Sequence, residues 1–180
     1  MEKNTSDIHW YAFKVFYNKV FEIEELLANE QIETFIPCET VLIEHKGVKK
    51  SVRKPVVSSL LFFRSTEQQA LQQQRNLTDR VILYTRLVGW QKLPIAISDH
   101  EMSIFMLVAT SGEKGLEYLG DAPMDYRVGQ HVRVTDGPFK GAEGYIHRIK
   151  GNRRLIVAIE GICAVATTYI PQCFLLKLTN

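Results

Sequence analysis

Apolar, aromatic and β-branched residues dominate Ile8-His-Trp-Tyr-Ala-Phe-Lys-Val-Phe16, which predicts an opening strand. Val20, Ile23 and Leu27 then recur at helical spacing with Glu22, Glu24, Glu25 and Glu30 between them, so a helix follows, with Asn18 as its expected cap. Residues 32–37 and 40–43 read as strand, and residues 44–54 as a hairpin turning at Lys46-Gly47. The most apolar run, residues 55–63, has strand length and belongs at the centre of a sheet. Thr66-Glu-Gln-Gln69 has capping-box spacing and opens a second helix reaching Arg75. Residues 81–85 form a further strand candidate. Residues 94–98 form a short edge strand, because proline lacks the ladder donor. A second capping-box pattern, Ser98-Asp-His-Glu101, leads into Met102, Phe105, Met106 and Ala109 on one face of a third helix ending near Thr110.

From residue 111 to 125 the periodicity breaks among Gly112, Gly115, Gly120, Asp121 and Pro123, which reads as a linker. Beyond it, Val128, Val132 and Val134 alternate with Gln130, Arg133 and Thr135, a half-buried strand. Asp136-Gly137-Pro138 forces a turn, and Gly144 sits inside a strand pattern, where glycine marks a bulge or a close backbone approach. Residues 155–159, 165–170 and 174–178 add three more strands. Several strands joined by short turns over about 50 residues suggest a small closed barrel of the SH3-like kind.

Composition sharpens this two-part picture. With 180 residues, 46% of them hydrophobic, the chain can bury one ordinary core or two small ones. The net charge is only +2, yet residues 127–180 carry 8 Lys and Arg against 3 Asp and Glu. Such an excess fits either a basic field facing nucleic acid or charged strand edges that resist aggregation. The hairpin tip carries Lys46, Lys49, Lys50, Arg53 and Lys54 against Glu44, and admits the same two readings: attraction to phosphates or plain exposure. Cys38, Cys163 and Cys173 show no paired spacing, so neither a disulfide framework nor a zinc site is expected. His9, His45, His100, His131 and His147 are scattered, and no H-E-x-x-H, G-x-S-x-G or P-loop pattern occurs; neither catalysis nor a cofactor is expected. No apolar run suffices to span a bilayer and the first residues are too polar for a signal peptide, giving an expectation of a cytoplasmic protein without membrane contact.

The run Gly129-Gln-x-Val-Arg-Val, followed by Gly137-Pro-Phe-x-Gly141-x-x-Gly144-x-Ile, resembles the KOW motif of NusG-type transcription factors and some ribosomal proteins. Upstream, His9-Trp-Tyr-x-Phe13, Phe35-Ile-Pro37, the basic hairpin and Leu61-Phe62-Phe63 extend the resemblance to the NusG family across residues 9–178. It implies an α+β fold: an NGN-type α/β sandwich at residues 1–110, a linker at 111–125 and an SH3-like KOW β-barrel at 126–180. Within the family the chain is most similar to the specialised RfaH and UpxY-type paralogues.

That resemblance implies an antitermination and elongation regulator, not an enzyme, which reduces pausing on a specific operon such as one for surface polysaccharide synthesis. Trp10, Phe13, Leu60 and Phe62 would grip the clamp helices of RNA polymerase; since strand neighbours face opposite sides, core packing is the other reading of each. Lys14, Lys46, Lys49, Lys50 and Arg53 would face nucleic acid, including non-template DNA at the transcription bubble. Gly129, Gly137, Pro138, Phe139, Gly141 and Gly144 would form the KOW motif, whose domain would bind NusE or Rho, and a monomer is expected. Two departures stand out: Leu60 and Ser58 replace the family's Tyr and Pro, and the His-Thr-Thr motif of RfaH has no counterpart near Leu71-Gln72-Gln73. The alternative is a KOW-domain RNA-binding or ribosome-associated protein without polymerase contact.

Overall fold

His9–Val15 forms the first strand, β1, in a computed structural model that describes residues 7–120 and 128–179. Strand side chains alternate sides, and β1 is apolar at nearly every position, so both of its faces need cover. α1 (Val20–Asn29), β2 (Thr34–Phe35), β3 (Cys38–His45), β4 (Val48–Pro55), β5 (Leu60–Ser65), α2 (Glu67–Asn76), β6 (Val81–Leu83), β7 (Thr85–Val88) and β8 (Gln91–Pro94) follow it. With β1 they make up a compact unit of residues 1–98. Its sheet runs β2-β5-β1-β6, antiparallel throughout, while β3 with β4 and β7 with β8 form separate hairpins.

Tyr11, Phe13 and Val15 of β1, Leu61 and Phe63 of β5, and Val81 and Leu83 of β6 meet Val20, Ile23 and Leu27 of α1 and Ala70 of α2 in one buried cluster. Phe13 stacks on Phe63 with ring centroids 4.4 Å apart, a geometry contributing about 0.5–1.5 kcal/mol beyond area burial. The opposite face carries Trp10 and Ala12 of β1, Leu60 and Phe62 of β5, and Phe35 of β2, with Phe62 registered between Ala12 and Phe35.

The ends of the elements follow local chemistry. Thr66 caps α2 as its spacing implies: its hydroxyl accepts from the Gln69 amide at 3.2 Å, and the Gln69 side chain accepts from the Thr66 amide at 3.3 Å. Asn18 does not cap α1, because Tyr17 and Asn18 both turn into the left-handed region (φ 59° and 56°), and the helix begins after Lys19 without a side-chain cap. Residues 55–63 do not form one strand either: 56–59 turn, Leu60 N donates to Val57 O at 3.2 Å, and only then does β5 begin. After β8 the chain passes Trp10, whose amide and carbonyl bond to Ile97 at 3.0 and 2.8 Å.

The second unit, residues 99–180, holds α3 (Asp99–Ala109), β9 (Glu117–Leu119), β10 (Gln130–Val134), β11 (Glu143–Ile149), β12 (Asn152–Ile159), β13 (Cys163–Tyr169), a 3-10 turn at Gln172–Phe174 and β14 (Leu175–Lys177). The six strands form one antiparallel sheet ordered β14-β10-β11-β12-β13-β9, and among the described residues its two end strands do not pair with each other. α3 buries Met102, Phe105, Val108 and Ala109 and packs against β12 and β13. This second unit thus begins with α3. Part of the expected linker is also strand: β9 pairs with β13, and Leu119 packs against Ile156, Ala164 and Ala166. Residues 121–127, with the rest of that linker, lie outside the described residues.

Gly144 shows why one position in β11 excludes a side chain. A Cβ there would stand 2.2 Å from the carbonyl oxygen of Ile156. Gly144→Ala is expected to push β11 from β12 and to cost more than about 3 kcal/mol, read as a lowered urea midpoint; an unchanged midpoint would mean that this close approach is relaxed at no cost. Burial, reinforced by Glu67, pushes the Tyr11 phenol up to about 12 from its ordinary 10.0. Because the unfolded chain ionises Tyr11 first, this contribution is complete below pH 10 and is lost as pH rises through 12. Tyr11→Phe should therefore flatten the fall in thermal midpoint across that window, and parallel curves for the two proteins would refute the assignment.

Candidate functional site

The apolar candidates share one environment. Trp10, Phe13, Leu60 and Phe62 are exposed by only 5, 0, 1 and 0%. All four are buried core side chains. Phe13 departs furthest from the expectation, since it points to the helical side and is stacked into that core. The other three lie on the opposite face of the sheet. At the margin of that face, Lys14 is registered between Leu60 and Ile82, and both Lys14 and Ile82 are exposed.

The basic candidates split into two groups. Lys46 and Gly47 both have positive φ (51° and 76°), the two-residue turn whose twist matches a hairpin, and it carries Lys46, Lys49 and Lys50 out into solvent. Lys49 stands opposite Glu44 and Lys50 opposite Ile43, so the tip presents a cation on each face. Arg53 is engaged within the fold instead. Its guanidinium donates to both carboxylate oxygens of Glu24 at 3.4 and 3.2 Å and lies 5.2 Å from the Phe21 ring centroid. Hydrogen bonding to Glu24 raises its pKa above the usual arginine value. Burial pushes the neighbouring Cys38 thiol up, against the pull of Arg53 at 3.7 Å from its sulfur. Arg53 thus ties β4 to α1, and Lys54 pairs with Glu39 at 3.5 Å.

In the second unit, Gly129 leads into β10, Gly137, Pro138, Phe139 and Gly141 shape the path from β10 to β11, and Gly144 lies within β11. Asp136 accepts from the Gly137 amide at 2.8 Å, and Phe139 is buried beneath the turn. Arg133 and Glu143 face each other across β10 and β11 in a two-pronged pair at 2.7 and 2.6 Å. The basic excess gathers at the other end of β11, where Arg148 stands directly opposite Arg153 beside the Lys150-Gly151 turn. Those arginines line a cleft with Asn152, Tyr169 and Gln172, and Arg153 donates to Gln172 at 2.8 Å. Arg154 and Lys150 are drawn to Glu117 at 2.9 and 3.8 Å.

Sequence reasoning passed over the hairpin of β7 and β8. Gly89 (φ 61°) takes its first turn position and Trp90 the second, and Trp90 is fully exposed. The signal was a Gly-x pair, Gly89-Trp90, between two short runs that contain Leu and Val. Among the described residues, no group of three or more His, Cys, Asp or Glu side chains could hold a metal ion, and no helix is long and apolar enough to cross a membrane. The three cysteines form no disulfide; Cys163 is buried and Cys173 exposed.

Against known proteins, the family model described as transcription termination factor nusG matches residues 8–106. A solved structure titled "Domain interaction in Thermotoga maritima NusG" is 15% identical, with 98% of this chain and 100% of that chain covered and a TM-score of 0.45. No curated protein matches the chain.

The division among the cations has a measurable consequence. Replacing Lys49 and Lys50 together by Glu should weaken binding to duplex DNA and make its salt dependence shallower by roughly 0.9 for each phosphate no longer neutralised. Arg53→Gln should instead lower the thermal midpoint and leave that slope alone. The reverse pattern would show that Arg53, not the tip, meets the phosphates.

Proposed function

From a chain that belongs to the NusG family, we infer a transcription elongation and antitermination factor that works by holding RNA polymerase in its elongating conformation. Proteins of this family are transcription factors, not enzymes, and bind RNA polymerase. The observation that carries the reading is the family match over residues 8–106, which takes in the whole first sheet, both of its helices and both hairpins. No bond is made or broken in such a mechanism. A bound protein shifts a pausing equilibrium only by its differential affinity for the two polymerase states.

We assign the polymerase contact to the face of the first sheet that bears Trp10, Leu60 and Phe62. It is supported by Lys14 and Ile82, which are exposed on this same face beside the buried Leu60. Ile82 and Lys14 form the part of this face that a partner meets directly, and the clamp helices are the proposed partner. Lys46, Lys49 and Lys50 would approach DNA beside the bubble. The residues from Gly129 to Gly144 are proposed as a KOW motif, with NusE or Rho as the second partner, and operon-directed action of the RfaH and UpxY type as the role.

A second reading, RNA binding without polymerase contact, draws on the opposed Arg148 and Arg153. Like charges directly across a strand pair repel, and an anion between them would relieve this. Capture of purified core polymerase on the tagged full chain separates the two. The first reading predicts retention of the polymerase and a loss of affinity on the order of 10-fold or more for Ile82→Asp, a change at an exposed side chain that leaves the fold intact. Failure of the unaltered chain to retain polymerase, together with retention of structured RNA, establishes the second.

A further inference from the structure

Trp90 is the most exposed large apolar side chain among the described residues, and nothing in the polymerase reading uses it. It stands at the tip of a two-residue turn on a slim hairpin. Gly89 has positive φ and Trp90 does not, the arrangement in which glycine takes the first turn position and the second side chain projects outward. Leu87 and Val88, also exposed, precede it. The indole makes no contribution to packing within the fold, and with Leu87 and Val88 it gathers three exposed apolar side chains at one hairpin end.

Register and charge indicate which partner. Arg86 is opposite Leu93 and Val88 opposite Gln91, which puts these four on one face; Leu87 opposite Lys92 lies on the other. Apolar area is therefore divided between the two faces and builds no flat greasy patch of the kind a protein interface buries. What the two faces have in common is a cation each, Arg86 and Lys92, on either side of the indole. Residues 85–94 contain no acidic side chain.

One aromatic ring at a tip, with a positive charge to each side, is complementary to an unpaired base between two phosphates. We propose that the β7–β8 hairpin binds single-stranded nucleic acid, with Trp90 stacking on an unpaired base and Arg86 and Lys92 neutralising the flanking phosphates. Duplex offers no free base face, so its binding does not use the ring. The proposal stands on the hairpin alone. Only the identification of the strand with one exposed by transcription rests on the function proposed above.

The test uses the full chain and short fluorescein-labelled oligothymidine, oligouridine and a duplex of matched length, followed by anisotropy. Trp90→Ala should weaken binding to a single strand on the order of 10-fold, the loss expected for one base stacked on one ring. Trp90→Phe should recover most of it, and duplex binding should not change. Arg86→Ala with Lys92→Ala should reduce the salt slope by roughly 0.7 per cation. An effect on oligothymidine alone names DNA as the ligand, and an effect on oligouridine alone names RNA. Equal affinity of wild type and Trp90→Ala for both oligonucleotides overturns the proposal. So does a variant that binds them normally but no longer retains polymerase core, which would make Trp90 a protein anchor and leave the function reading in place. If polymerase is never retained yet Trp90→Ala weakens oligonucleotide binding, this inference survives and the function reading fails.

Discussion

The first unit depends on the antiparallel pairing of β1 with β5 in the middle of its sheet, two strands apolar on both faces. Alternation sends Tyr11, Phe13, Leu61 and Phe63 toward α1 and α2, and Trp10, Ala12, Leu60 and Phe62 the opposite way. A slip of one residue would exchange the two sets, so the register that stacks Phe13 on Phe63 also decides which aromatic residues remain for the other side. Both sets are buried, and Lys14 and Ile82 mark where the second face reaches solvent.

That sheet also determines where the charged hairpins emerge. β2 lies at one edge beyond β5, runs in the same direction as β1, and its chain leaves toward the end where β1 finishes. β6 lies at the other edge, runs against β1, and leaves toward the end where β1 starts. The lysine-tipped β3–β4 hairpin and the tryptophan-tipped β7–β8 hairpin therefore depart from diagonally opposite corners. Their chemistry differs accordingly: three lysines suit a phosphate backbone of either form, whereas an indole between two cations suits a base that has left its partner.

Much of this was legible in the chain because the signals were local. The Thr66 capping box, the Lys46-Gly47 turn and the close approach at Gly144 each follow from residue chemistry within a few positions. Where the outcome depended on distant partners, the sequence was silent or misleading. Nothing local distinguishes Phe13 in a helical core from Phe62 on the opposite face, since both belong to apolar strands. Arg53 reads as one more tip cation until Glu24 and Phe21 of α1 come to meet it. Glu117–Leu119 lies among glycines and looks like linker, but β13 supplies the pairing that makes it strand. The β7–β8 hairpin has strands of only four residues each, and neither Thr-Arg-Leu-Val nor Gln-Lys-Leu-Pro alternates apolar with polar positions.

On the proposed function, this chain acts on a moving polymerase by preferring one of its conformations. Single-round transcription in vitro, on templates with a defined pause and with and without a candidate leader sequence, measures this directly. The full chain is expected to shorten pause lifetime and raise readthrough in a saturable, concentration-dependent way. Identical lifetimes and readthrough at every concentration, on every template, would contradict it.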